Sequence, residues 1–181
     1  RIRDMRADPK ARFQALYEST SRNVYAYLRR HCDQDLAETV TSEVYLKAWR
    51  HFDELDADPI GWLLAVARTT LLDHYRSRAR RSRLTDDFFT VTRGRSQAGP
   101  ETTVLERQAM LTALTRLSEE DREALLLVGW DGLSHSSAAR VLGCSSHAFT
   151  KRLSRAWQRF EESLDPRDEI SRRPIVSKEL S

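Results

Sequence analysis

Only two cysteines, Cys32 and Cys144, occur in the 181-residue chain, and they lie far apart. They could not supply the multi-disulfide framework of a small secreted domain, so a reducing compartment, the cell interior, is the simpler expectation. Glycine (6) and proline (5) are scarce, which argues against a chain built of hairpins. No apolar run approaches the roughly 20 residues that cross a bilayer, and the Arg-rich beginning lacks the apolar segment of a signal peptide, so neither membrane insertion nor secretion is expected. The first residue is Arg1 rather than Met, so a few native residues are expected to precede it. A Gly-rich phosphate loop, a G-x-S-x-G elbow and an H-E-x-x-H pair are also missing. Asp73-His74 and the acids near Asp53 are isolated pairs of a kind common on solvated helix faces, which disfavours an enzyme. Cys144 and His147 share a C-x-x-H spacing, but no second pair closes a zinc site. No metal and no cofactor are expected.

Hydrophobic residues at 40% and charged residues at 31% suffice for a core. Leu, Ala, Arg and Glu recur throughout, the mixture of an all-α chain. Net charge is only +3, yet 30 Lys and Arg are present and the arginines cluster, so the local fields matter more than the sum. Asp8-Pro9 reads as a cap and first helical position, followed by Phe13, Leu16, Tyr17, Val24, Tyr27 and Leu28 at steps of three and four. A second helix is expected from about Asp35 to His51, with Leu36, Val40, Val44 and Ala48 or Trp49 inside. A third should open at Asp58-Pro59 and run through Trp62, Leu63, Val66, Ala67 and Leu71 to an Arg-rich end near Arg83.

Gly94, Gly99 and Pro100 break the pattern beyond that point. We therefore expect two small helical domains, at residues 8–83 and 104–164, joined by a flexible linker at 84–103 and followed by a frayed tail at 165–181. In the second domain a helix is expected around Val104 to Thr115, and another begins at Ser118-Glu119-Glu120-Asp121 like a capping box. Then come a short helix from Ser136 to Leu142, a turn at Gly143-Cys144-Ser145 and a long helix capped by Ser145, which is the layout of a helix-turn-helix. Phe149, Leu153, Ala156 and Phe160 are spaced by four, three and four residues, one buried stripe that turns His147, Lys151, Ser154, Arg155 and Gln158 outward. Such an outward set can bond base edges in a major groove, with Arg152, Arg155 and Arg159 on phosphates. Periodicity alone fits an ordinary helical hairpin with a solvated basic face equally well.

Leu117, Arg122-Glu123, Leu125-Leu126-Leu127, Gly132-Leu133-Ser134, Ala138, Leu142-Gly143, Ser145 and Arg152-Leu153-Ser154-Arg155-Ala156 carry a more specific signal. In that order they resemble the promoter-reading fourth region of the sigma-70 family, in particular the extracytoplasmic-function (ECF) sigma factors of bacterial RNA polymerase. Phe13 to Arg81 resembles the second sigma region through Ala48-Trp49-Arg50, Asp58-Pro59-x-x-Trp62-Leu63-Leu64, Ala67-Arg68 and Leu72-Asp73-His74-x-Arg76. Departures occur at Ser137, where the family has an acid, at His147-Ala148-Phe149, where it has Gly-Thr-Val, and at Thr39 and Ser42, where it has Asp and Gln.

The resemblance implies a non-enzymatic specificity subunit. Ser146, His147, Thr150, Lys151, Arg152, Ser154 and Arg155 would read the minus-thirty-five element. Phe52, Asp53, Trp62, Arg68, Thr69, Asp73, Arg76 and Arg80 would read and melt the minus-ten element, with the loop from Phe52 to Asp58 holding a flipped base. Arg68, Arg76 and Arg80 fall eight and four residues apart, a stripe suited to phosphates, and Trp62, His74 and Tyr75 beside it could stack on unpaired bases. Glu38, Thr39, Ser42, Glu43, Tyr45, Leu46 and Trp49 would dock on the clamp helices of the largest polymerase subunit, and the second domain on the flap of the second-largest. Asp86, Asp87, Phe88 and Phe89 would thread toward the active centre. Many relatives are held by an anti-sigma factor, which makes one a candidate partner. A helix-turn-helix regulator working without polymerase is the nearest rival, but it explains only the carboxy-terminal half.

Overall fold

Local capping chemistry decides where the helices begin. The computed structural model describes residues 8–55, 58–82 and 104–164. Helix α1, Pro9–Arg29, opens with Pro9 in its first turn and the Asp8 carboxylate accepting from the Lys10 amide at 3.1 Å. Helix α2, Gln34–Arg50, is capped by Asp33, which accepts from the Leu36 amide at 2.9 Å, so it starts slightly earlier than the Asp35 expectation. A single 3-10 turn, Phe52–Glu54, leads toward α3, Pro59–Ser82. The second group comprises α4, Val104–Arg116, α5, Glu119–Gly129, α6, His135–Leu142, and α7, Ser146–Leu164. Ser118, Ser134 and Ser145 each cap the helix that follows, accepting amide bonds at 3.2 Å. Gly143 sits at φ 67°, the left-handed conformation the turn between α6 and α7 needs. No strand occurs among the described residues. The linker at 84–103, with Asp86 to Phe89, and the tail at 165–181 lie outside them.

Three-residue and four-residue spacing places the cores as expected. Val24, Tyr27 and Leu28 of α1 meet Val40, Val44 and Ala48 of α2 and Leu63, Leu64 and Ala67 of α3. Ala48, not Trp49, supplies the inner position on α2, since Trp49 is exposed. In the second group Ala124, Leu127, Ala138, Phe149, Leu153 and Ala156 are buried together.

The two groups are not held apart. Helix α6 lies against α3, and Gly61 in the first turn of α3 makes this approach possible: a Cβ there would sit 2.7 Å from the Ser137 Cβ. The Ser137 hydroxyl donates to Asp58 just ahead of α3. At the other end, Arg30 at the close of α1 gives a two-pronged bond to Asp131, at 3.0 and 2.5 Å, with both side chains nearly buried. His31 Nε2 lies 3.2 Å from Glu123 Oε2 of α5. Burial pushes the Glu123 carboxyl up, but His31, Arg30 and the Tyr27 hydroxyl outweigh it and hold the group below its ordinary value. For Asp131 burial wins over Arg30, and its carboxyl is raised.

This packing makes two outcomes testable. Phe149→Ala removes a fully buried ring and should cost about 3–5 kcal/mol, read as a lower urea midpoint; an unchanged midpoint contradicts the burial. Glu123 contributes stability above the unfolded glutamate value of about 4.3, and that contribution is lost as pH falls through its lower folded value. Asp131, with a raised carboxyl, acts in the opposite sense. Glu123→Gln should therefore make the acid-side loss of stability shallower in urea titrations between about pH 6 and pH 3, and an identical slope refutes the assignment.

Candidate nucleic-acid interface

The buried stripe Phe149, Leu153 and Ala156 sets the orientation of α7, with Phe160 half-buried below it. Ser146, His147, Thr150, Lys151, Ser154, Arg155 and Gln158 are exposed as a consequence. Thr150 donates to the Ser146 carbonyl at 2.9 Å, and its hydroxyl lies 3.3 Å from His135 Nδ1, which ties the start of α7 to α6. Arg155 Nε bonds the Lys151 carbonyl at 3.3 Å. Two of the three flanking arginines have internal work: Arg152 pairs with Glu120 at 2.9 Å, and Arg159 pairs with the nearly buried Asp121. They brace α7 against α5, so the exposed face of α7 runs over residues 146 to 155, with Arg155 bonded only within its own helix.

Helix α3 presents a different stripe from the one its arginines suggested. Thr69, Asp73, Arg76 and Arg80, spaced by four, three and four residues, are all exposed. Arg68 is half-buried and turns toward Tyr27, whose hydroxyl it influences electrostatically, so it does not share the outer stripe. The reason is helical phase: position 68 adjoins the inward positions 64, 67 and 71. Arg76 meets Asp73 at 3.1 Å, but both side chains are more than 60% exposed, and such a pair yields readily to a competing phosphate.

The aromatic expectations divide. Tyr75 donates its hydroxyl to the His31 carbonyl at 2.6 Å, and His74 Nε2 lies 3.0 Å from Glu43 of α2. Both rings are half-buried and have internal partners. Trp62 is half-buried and lines a groove of about 430 Å³ with Lys47, His51, Ala65, Val66, Thr69 and Arg140. Phe52 packs edge-on to Phe13 at 5.5 Å beneath the Arg12 guanidinium, while Asp53 beside it is exposed.

On α2, Glu38, Thr39, Ser42, Leu46 and Trp49 form an exposed face, with Leu46 58% and Trp49 48% accessible. Glu43 borders it, half-buried and paired with His74. Tyr45 departs from the docking expectation: it is buried, its hydroxyl lies 2.8 Å from that of Thr20, and burial pushes it up to about 12. Exposed Tyr17 of α1 packs edge-on to Tyr45 and extends the apolar ridge, although sequence periodicity counts Tyr17 with the core. Sequence reasoning misses the cluster of Arg30, His31, Glu123 and Asp131 altogether, because no local pattern links positions 101 residues apart.

Among the described residues no helix is long and apolar enough to cross a membrane. Residues 16–81 match the family model of sigma-70 region 2, and residues 107–160 that of sigma-70 region 4. The chain is 32% identical over 124 residues to the ECF RNA polymerase sigma factor EcfG of Rhodopseudomonas palustris (strain TIE-1), covering 67% of each. It is 30% identical over 160 residues to the ECF RNA polymerase sigma factor SigC of Mycobacterium tuberculosis, covering 86% of this chain and 84% of that protein. Among solved structures, the sigma factor RpoE in complex with the anti-sigma factor NepR from Bartonella quintana is similar at a TM-score of 0.65 and 27% identity, over 84% of this chain and 96% of that one. With both sigma regions matched in order and curated ECF relatives aligned along most of its length, the chain belongs to the ECF group of the sigma-70 family of RNA polymerase sigma factors.

Proposed function

We propose that the chain acts inside the bacterial cell as the promoter-selecting subunit of RNA polymerase, making and breaking no bond itself. Residues 8–83 dock on the core enzyme and read the minus-ten element, residues 84–103 tether, and residues 104–164 read the minus-thirty-five element. The observation that carries this reading is the pair of polar faces, residues 146 to 155 on α7 and the Thr69-to-Arg80 stripe on α3, each fixed by a buried stripe on the opposite side of its helix. Hydroxyls, imidazole and ammonium on α7 suit base edges and phosphates of duplex DNA. Arg76 and Arg80 suit the phosphates of a strand being opened, and Trp62 in the first turn of α3 and exposed Asp53 in the turn that precedes the helix are the groups offered to an unpaired base.

Docking is assigned to Glu38, Thr39, Ser42, Leu46 and Trp49, an apolar centre with a polar surround of the kind protein interfaces favour. The clamp helices of the largest polymerase subunit are the partner for that face, and the flap of the second-largest subunit for the second domain. An anti-sigma factor is a further candidate partner.

Transcription in vitro with purified core polymerase and a promoter library tests the function directly. Discrete start sites from selected promoters are expected, and no transcript above core enzyme alone overturns the reading. In that holoenzyme Arg76→Ala with Arg80→Ala should weaken promoter binding broadly and flatten its salt dependence by about 0.9 for each phosphate no longer neutralised; an unmoved slope removes the phosphate role. Lys151→Ala or His147→Ala should instead change which upstream sequences a randomised selection returns, and an unaltered selection removes them as readers.

A further inference from the structure

His135, the first residue of α6, is exposed and reaches the polar face of α7, where its Nδ1 lies 3.3 Å from the Thr150 hydroxyl. Its ring packs on Phe149 with centroids 5.8 Å apart, and Phe149 is fully buried. The imidazole is thus seated on the core of the second module while one of its nitrogens meets a side chain assigned to reading DNA.

Counting hydrogens fixes what each partner does. A hydroxyl carries one hydrogen and two lone pairs. Thr150 gives its hydrogen to the Ser146 carbonyl at 2.9 Å, the shorter of its two bonds. Toward His135 the oxygen can therefore only accept, so the imidazole carries its hydrogen on Nδ1 and donates it. One lone pair is left on Thr150 for anything that approaches from solvent. Helical threonine divides between two side-chain rotamers, and the bond from α6 favours the one already tied to Ser146 over the one that exchanges hydroxyl and methyl.

In a major groove the amino groups of adenine and cytosine donate, whereas the oxygens of guanine and thymine accept. A hydroxyl restricted to accepting bonds the first kind and not the second. We propose that His135 is a positioning residue for promoter selection: by donating to Thr150 it holds that hydroxyl as an acceptor, so that position 150 selects an adenine or cytosine amino group at one base of the minus-thirty-five element. This rests on the functional reading above and adds to it a residue outside the reading helix and the class of base that Thr150 takes.

Two full-length variants separate the bond from the ring. His135→Phe keeps the packing on Phe149 and loses the donor, whereas His135→Asn loses the ring and supplies an amide donor near the same place. Each is assembled with core polymerase, beside the native chain and Thr150→Val, and used to select from promoters randomised over the upstream element. The native holoenzyme should enrich adenine or cytosine at one base on one strand. His135→Phe and Thr150→Val should each lower that enrichment about fivefold at that base alone, and His135→Asn should restore most of it. Selection unchanged by His135→Phe or by Thr150→Val, loss spread over the whole element, or an Asn variant no better than the Phe variant overturns the proposal. In the free chain, nitrogen NMR of the imidazole at alkaline pH should show the His135 hydrogen on Nδ1, moving to Nε2 in Thr150→Val. A hydrogen on Nε2 in the native chain overturns the proposal whether or not the chain supports transcription. The functional reading fails separately, if the native chain gives no transcript above core enzyme alone.

Discussion

Helix α3 has to satisfy three neighbours with one 24-residue cylinder. Leu63, Leu64, Ala67 and Leu71 are committed to α1 and α2, Gly61 to the close approach of α6, and Thr69, Asp73, Arg76 and Arg80 to solvent. Because a helix repeats every 3.6 residues, these commitments cannot be adjusted independently. Moving Arg68 onto the outer stripe would rotate Ala67 and Leu71 out of the core. The packing of the first module therefore fixes which cations of α3 reach solvent, and the missing side chain at position 61 fixes how closely the second module can come.

Two kinds of contact hold the molecule, and they differ in what happens when they break. Within each module the contacts are apolar, and opening them exposes hydrocarbon at about 25 cal/mol per Å². Between the modules, at the ends of α1 and α5, they include buried ions whose separation restores hydration. Arg152 and Arg159 act differently inside the second module: by pairing with Glu120 and Asp121 they tie α7 to α5, while Lys151, Ser154 and Arg155 stay exposed.

Much of this was legible in one dimension. Asp8-Pro9, Ser118 and Gly143-to-Ser145 marked helix ends because capping is a local hydrogen-bonding event, while α6 starts at His135, capped by Ser134, one residue before the expected Ser136; the four-three-four spacing on α7 told inside from outside without a partner in view. Polar and aromatic side chains that find internal partners were not legible in the same way. Tyr45, Tyr75 and His74 lie at the edges of their faces, where a hydroxyl or imidazole finds an internal partner that only the third dimension supplies: Thr20, the His31 carbonyl and Glu43. Tyr17 shows the converse, an apolar position at helical spacing that the neighbouring helix leaves open. Contacts between the modules were invisible for a simpler reason, since Arg30 and Asp131 belong to separate periodic patterns.

The division of labour between the modules can be put on a single promoter. With core polymerase present, photo-crosslinkers carried at position 80 on α3 and position 151 on α7 should label the same DNA at two sites about 25 base pairs apart, roughly 85 Å along the duplex, the first near the melted strand and the second upstream. Labelling at one common site, or only from position 151 and without need of polymerase, would contradict the account.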